Sequence, residues 1–184
     1  MRWDPLFADL EAQADLLDAV ERAGEVDERS RIEAGALRMF DRLRASRGLQ
    51  ARVHCLGGHD VAGRLCRVGP DWLLLDAGSG VEALVAADAV VRVSGLSRWA
   101  EAPGSESRVD ARSGLRQCLR RVVRDRLPLR VELVDGSSVT GILERVGADH
   151  VELTGRGAGE WRGASGEDRT LVPLRAVAVV IRQL

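Results

Sequence analysis

The sequence predicts an α+β fold: an N-terminal α-helical segment followed by two tandem small β-barrels with a connecting α-helix. Three observations carry this. Apolar residues recur at helical spacing over residues 5 to 46. Short strand-like runs, parted by glycine, aspartate and proline, fill 49 to 95 and 129 to 184. The two strand-rich stretches repeat one another. The expected divisions are a helical segment over 1–48, a first barrel over 49–95, a linker and basic helix over 96–128, and a second barrel over 129–184.

The first helix is opened by Asp4 as N-cap before Pro5 at the first helical position. Its stripe is Leu6, Leu10, Gln13, Leu17 and Val20, with mostly charged residues between them. Gly24 marks a break. A second helix runs from Glu25 to Ser46 on Ile32, Ala36, Met39, Phe40 and Leu43, and Arg47-Gly48 stops it. These stripes need cover, either from the rest of the chain or from a second copy in a homodimer. Strands follow in "ARVHCL", "DVAGRLCRV", "DWLLLDA", "EALVA" and "AVVRV", and "GSG" at 78 to 80 reads as a hairpin turn. Residues 95 to 108 read as a linker. A third helix spans Asp110 to Arg126 on Leu115, Leu119 and Val122, and Leu127-Pro128 ends it. Strands return in "LRVELV", "SVTGILERV", "HVELT", "TLVPL" and "AVAVVI", with a glycine-rich loop over 155 to 168.

The repeat is an internal duplication of a five-strand unit. At a shift of 78, Arg52, Val53, Gly63, Leu65, Arg67, Val68, Gly69 and Asp71 meet identical residues. "ALVAADAVVRV" meets "TLVPLRAVAVV" at a shift of 87, with the nine extra residues in the glycine-rich loop. Gly63 and Gly141 fall mid-strand, where a bend would close a small barrel. "VGPD" and "VGAD" read as turns with glycine at positive φ and aspartate bonding its own following backbone. A unit this short has a small core, so both units and the helices are expected to share burial.

The strand, "DG" turn, "VTGILERVGADHVEL" and "LVPLRAVAVV" together resemble the Sm-like and SH3-like small barrels. "VAGRLCRVGPDWLLL" with "LVAADAVVRV" also resembles the SH3-like C-terminal domain of biotin–protein ligases. The whole chain is similar to uncharacterised actinobacterial proteins, some labelled Fis-type regulators, although no helix-turn-helix pattern accompanies that likeness. Sm proteins hold bases with an Asp and Asn and an Arg-Gly pair. This chain has no asparagine, and Ala86-Ala87 and Pro173-Leu174 stand where Arg-Gly would. The Sm base-binding site is therefore not carried over, and a fold without its site does not transfer function.

Composition excludes several chemistries. All 27 basic residues are arginine, so there is no Walker lysine and no Schiff-base lysine. The lack of lysine, asparagine and tyrosine points to a GC-rich, bacterial genome. There is no G-x-S-x-G, H-E-x-x-H or C-x-x-C pattern. Three scattered cysteines, Cys55, Cys66 and Cys118, read as reduced thiols of a cytoplasmic protein. No apolar run is long enough for a membrane span, and the acidic N-terminus does not read as a secretory signal. "HCLGGH" sets His54, Cys55 and His59 close together. This is either a three-ligand metal cluster or an ordinary strand, buried thiol and turn, and the predicted metal and cofactor content is none.

The net charge of −1 is unevenly spread. Residues 1 to 28 carry nine acids against Arg2 and Arg22, while residues 108 to 130 carry eight arginines against Asp110 and Asp125. Arg112, Arg116, Arg120 and Arg124 recur every fourth residue, with Arg108 and Arg121 nearby. Such a stripe suits nucleic-acid phosphates, or alternatively a solvated or acid-paired face. Arg52/Arg130 and Arg67/Arg145 are repeated contributors. The functional expectation is a non-enzymatic cytoplasmic binding or regulatory protein that engages RNA or DNA through Arg108, Arg112, Arg116, Arg120, Arg121 and Arg124. The alternative is a protein-interaction scaffold using the helical arm and barrel edges.

Overall fold

The computed structural model describes residues 35–102, 113–155 and 169–183. Contacts divide the chain into Met1–Arg38 and Met39–Leu184. Among the described residues, every strand lies in the second unit. Helix α1 (Met39–Ala45) leads into strands β1 (Gln50–Cys55), β2 (Asp60–Val68), β3 (Trp72–Gly78), β4 (Val81–Ala86) and β5 (Val90–Ser94). Helix α2 (Leu115–Asp125) follows. Then come β6 (Pro128–Leu133), β7 (Ser138–Val146), β8 (His150–Thr154), β9 (Arg169–Pro173) and β10 (Val177–Gln183).

The expected pair of tandem barrels is corrected by the sheet. All ten strands form one antiparallel sheet in the order β5-β1-β2-β3-β4-β10-β6-β7-β8-β9. The join is β4 on β10, with Leu84 opposite Val180 and Val85 opposite Val179. The physical reason lies in β4, where Ala83, Leu84, Val85 and Ala86 are all buried. Left as an outer edge, so apolar a strand would be an aggregation site. Pairing it with β10 satisfies its backbone and lets two short runs share one core.

Within the sheet, the two five-strand runs have the same internal order, β5-β1-β2-β3-β4 and β10-β6-β7-β8-β9. Ala51 pairs with Gly63 as Leu129 pairs with Gly141, and Val53 pairs with Val61 as Val131 pairs with Val139. Fully buried Val53, Leu65, Leu73, Leu75 and Val85 of the first run form one cluster with Val131, Val151, Leu153 and Val179 of the second. Leu43 of α1 and Leu119 of α2 complete it.

Two glycine readings change in the structure. A Cβ on Gly63 would sit 2.3 Å from the Asp76 carbonyl oxygen, and one on Gly141 would sit 2.7 Å from that of Thr154. These glycines admit the neighbouring backbone. Gly69 and Gly147, expected at positive φ, are not among the positive-φ residues. They make room instead for the Trp72 and His150 rings, which a Cβ would strike. The aspartates of the same turns also differ from expectation. Asp71 accepts from the Leu115 N–H of α2, and Asp149 bonds the His150 ring.

The helical expectations are met in part. Of the predicted N-terminal helical segment, the residues before 35 lie outside the described residues; Gly35 and Ala36 are helical, Leu37 and Arg38 break the helix, and α1 covers Met39–Ala45. The predicted linker is partly a strap along α1: Ser97 N–H donates to Ser46 Oγ, Arg42 donates to the Ser97 carbonyl, and Glu101 N–H donates to the Asp41 carbonyl. The connecting helix is present but begins at Leu115, and it ends at Arg126 in the left-handed conformation (φ 50°).

The close approach at β2 gives a test. Gly63→Ala forces the β2 and β3 backbones apart and is expected to lower stability by about 1–3 kcal/mol, read from urea unfolding midpoints at unchanged m-value.

Candidate nucleic-acid interface

Helix α2 is amphipathic and pinned. Leu115 and Leu119 are buried, with Val122 and Val123 half-buried beside them. Its N-terminus has no side-chain cap of its own. The missing acceptor comes from the first run: Asp71 Oδ1 takes the Leu115 N–H at 2.7 Å, at the helix end where a carboxylate is favoured. Trp72 Nε1 donates to the Ser113 carbonyl at 2.6 Å. On the second run, Arg116 donates to the Ala148 carbonyl at 3.2 Å. At the C-terminal end, Asp125 accepts from Arg182 at 2.7 Å. Both strand runs therefore hold the helix.

The pinning divides the predicted arginines. Arg108 and Arg112 lie outside the described residues. Arg116 is engaged with Ala148, so it anchors the helix and is only partly available. Arg120, Arg121 and Arg124 are exposed and make no hydrogen bond or ion pair with any described residue. At about 100° per residue, Arg116, Arg120 and Arg124 run down one flank, whereas Arg121 is turned about 100° from Arg120 toward the other. Arg121 thus lies beside the Arg116–Arg120–Arg124 row, not on it. Arg124 also lies in the last turn, where a cation complements the helix dipole.

On the Arg121 side a cleft of about 240 Å³ opens between α2 and the β4–β10 seam. Trp72, Leu84, Val122 and Val180 supply its apolar lining, with Arg67, Arg121 and Arg182 around it. Arg67 lies 6.0 Å from the centre of the Trp72 ring. Arg182 bonds both Glu82 at 3.0 Å and Asp125 at 2.7 Å, tying the seam to the helix. Burial alone would lower the Arg182 pKa, but the two acids outweigh it and raise it. Both acids are thereby committed to structure.

The other repeated arginines are dispersed. Arg130 pairs with buried Glu132 at 2.7 Å, Arg145 lies 3.9 Å from Glu152, and Arg52 is exposed on β1. The "HCLGGH" group does not converge. His54 bonds Asp60 at 3.0 Å. His59 turns to the second run, with Nε2 2.8 Å from the Leu133 carbonyl and Nδ1 3.4 Å from Glu132. The loop between them packs so tightly on that hairpin that a Cβ on Gly57 would lie 2.6 Å from the Leu133 oxygen. Cys55 is buried, and burial, with a smaller push from Asp60, raises its thiol to about 11. Among the described residues no group of three or more His, Cys, Asp or Glu side chains is placed to hold a metal ion. Nor is any described helix long and apolar enough to cross a membrane.

Sequence reasoning missed Asp71, Ser113, Glu82, Arg182 and Glu132 as the residues that place the helix and join the runs. The contacts by which they do so reach partners 41 to 100 residues away, as with Trp72 to Ser113, His59 to Glu132 and Arg182 to Glu82, so no local pattern marked them. No protein-family model matches the chain, and no curated protein matches it.

Two outcomes test this geometry. Asp71→Ala leaves the α2 N-terminus uncapped and is expected to cost about 1 kcal/mol in denaturant unfolding. Cys55, as a buried thiol raised to about 11, is expected to resist alkylation at pH 8 until the protein unfolds, whereas half-exposed Cys66 reacts in the native state; peptide mapping after a timed iodoacetamide pulse reads both.

Proposed function

We propose that this chain is a non-enzymatic binding module whose α2 face engages nucleic-acid phosphates without reading sequence. The observation that carries the proposal is that Arg120, Arg121 and Arg124 are exposed and unpartnered among the described residues, on a helix pinned at both ends. Three guanidinium groups on a rigid helix lose little freedom when they meet phosphates, and they release counterions on contact. Aromatic support for base stacking is thin. Trp72 is buried with its N–H committed to Ser113, and exposed Trp99 is stacked with Arg98 at 4.6 Å. This favours backbone contact over base readout. A cytoplasmic setting, as read from the scattered cysteines, belongs to the same proposal.

Fluorescence anisotropy with mixed-sequence single-stranded RNA, single-stranded DNA and duplex DNA, at about 50 and 200 mM salt, tests this reading. Binding is expected at low salt and is expected to fall steeply at high salt. Arg120→Glu with Arg124→Glu should lower the log–log salt slope by about 2 while leaving the melting temperature unchanged. Arg116 is left intact because its bond to Ala148 holds the helix. No binding at micromolar protein and low salt overturns the proposal.

A further inference from the structure

We propose that the two edges of the sheet, β5 and β9, are complementary halves of a head-to-tail contact between copies of this chain, with β9 of one copy adding antiparallel to β5 of the next. The template is the β4–β10 seam. In each run the fourth and fifth strands are joined by a 3-10 turn, Ala87–Ala89 or Leu174–Ala176, closed by the same backbone bond from Val90 to Ala87 or from Val177 to Leu174. The seam is thus the fourth strand of the first run on the fifth strand of the second. Among the described residues, the strands left with one neighbour each are the fifth of the first run and the fourth of the second. They are the same two kinds of strand, one at either edge.

The side chains carry the mark of missing cover. At the offset of 87 residues, Leu171 of β9 occupies the place of Leu84 of β4, and Val91 of β5 that of Ala178 of β10. In the seam Leu84 is 8 % exposed, and Ala178, the neighbour of the first paired residue Val179, is 0 % exposed. At the edges Leu171 is 65 % exposed and Val91 is 55 % exposed. Large apolar residues on edge strands that also present unpaired backbone groups are a template for strand addition. Transferring the seam register sets Leu171 opposite Val93, Thr170 opposite Ser94, and Arg169 opposite Gly95. No like charges face each other there. Where the seam has Val85 opposite Val179, the edges set Val172 opposite Arg92, which makes the contact weaker than the seam and reversible. A contact between two different edges does not saturate at two chains, so it propagates into a ring or a filament. This inference uses neither α2 nor nucleic acid, and its failure would leave the arginine reading untouched.

The test is sedimentation velocity of the full chain across a micromolar concentration series, without nucleic acid. It compares the natural sequence, Leu171→Glu, Val91→Glu, and an equimolar mixture of the two variants. Both substitutions are at exposed positions, and circular dichroism melts serve as the folding control. The natural chain is expected to form concentration-dependent species larger than a dimer. Each variant alone is expected to be monomeric. The mixture is expected to form a 1:1 heterodimer and stop, because Leu171→Glu keeps an intact β5 and Val91→Glu keeps an intact β9. A natural chain that stays monomeric overturns the proposal. So does an assembly that survives in both variants, or a mixture that yields no heterodimer.

Discussion

The antiparallel pairing of β4 with β10 is the constraint on which the rest of this protein depends. It joins two short five-strand runs into one ten-stranded sheet with a shared cluster. Ala83, Leu84 and Val85 meet Ile181, Val180 and Val179 along it, and Leu84, Val85, Val179 and Val180 are all buried. One end of the seam is polar: Arg182 spans Glu82 on β4 and Asp125 on α2, so a single guanidinium links seam to helix. The Gly57 loop and the His59–Glu132 contact brace the runs at a second place, between β1 and the β6–β7 hairpin.

Helix α2 follows from that arrangement. It connects the runs in sequence and is held by both in space, through Asp71 and Trp72 on one side and Ala148 and Arg182 on the other. Its apolar stripe is spent on the sheet and Arg116 on Ala148, while Arg120, Arg121 and Arg124 are exposed and bond no described residue. The same economy explains the cleft. A helix anchored at its ends over a twisted sheet leaves a gap along one flank, and Trp72, Leu84 and Val180 line it because they already belong to the core near the seam.

Much of the local structure was legible from residue pattern. The strand-rich runs, the turn at residues 78 to 80, the connecting helix and its Leu115/Leu119 stripe were all readable as alternation, glycine placement and 3.6-residue period. The boundaries of α2 were read too long at its N-terminal end, because the acceptor that starts it, Asp71, lies 44 residues earlier in the chain. The turn chemistry of "VGPD" and "VGAD" was misread for a related reason. Local rules assign an aspartate to its own backbone, whereas here Asp71 serves a helix and Gly69 accommodates an indole ring. The basic face was found as a charge pattern. That Arg116 anchors while Arg120, Arg121 and Arg124 bond no described residue was not readable from spacing.

What the sequence determined by itself was therefore everything set by neighbours along the chain: two like runs of five strands, a basic amphipathic helix between them, and the absence of lysine-based chemistry. What only the tertiary structure decided was how the runs combine. Whether β4 closes on its own run or opens to accept β10 depends on pairing between residues about 100 apart, such as Glu82 and Arg182. Period and propensity describe which face of a strand is apolar, but hydrogen-bonding edges are alike in every strand. The choice between two closed units and one continuous sheet is made by total buried surface and edge satisfaction, which exist only once the chain is folded.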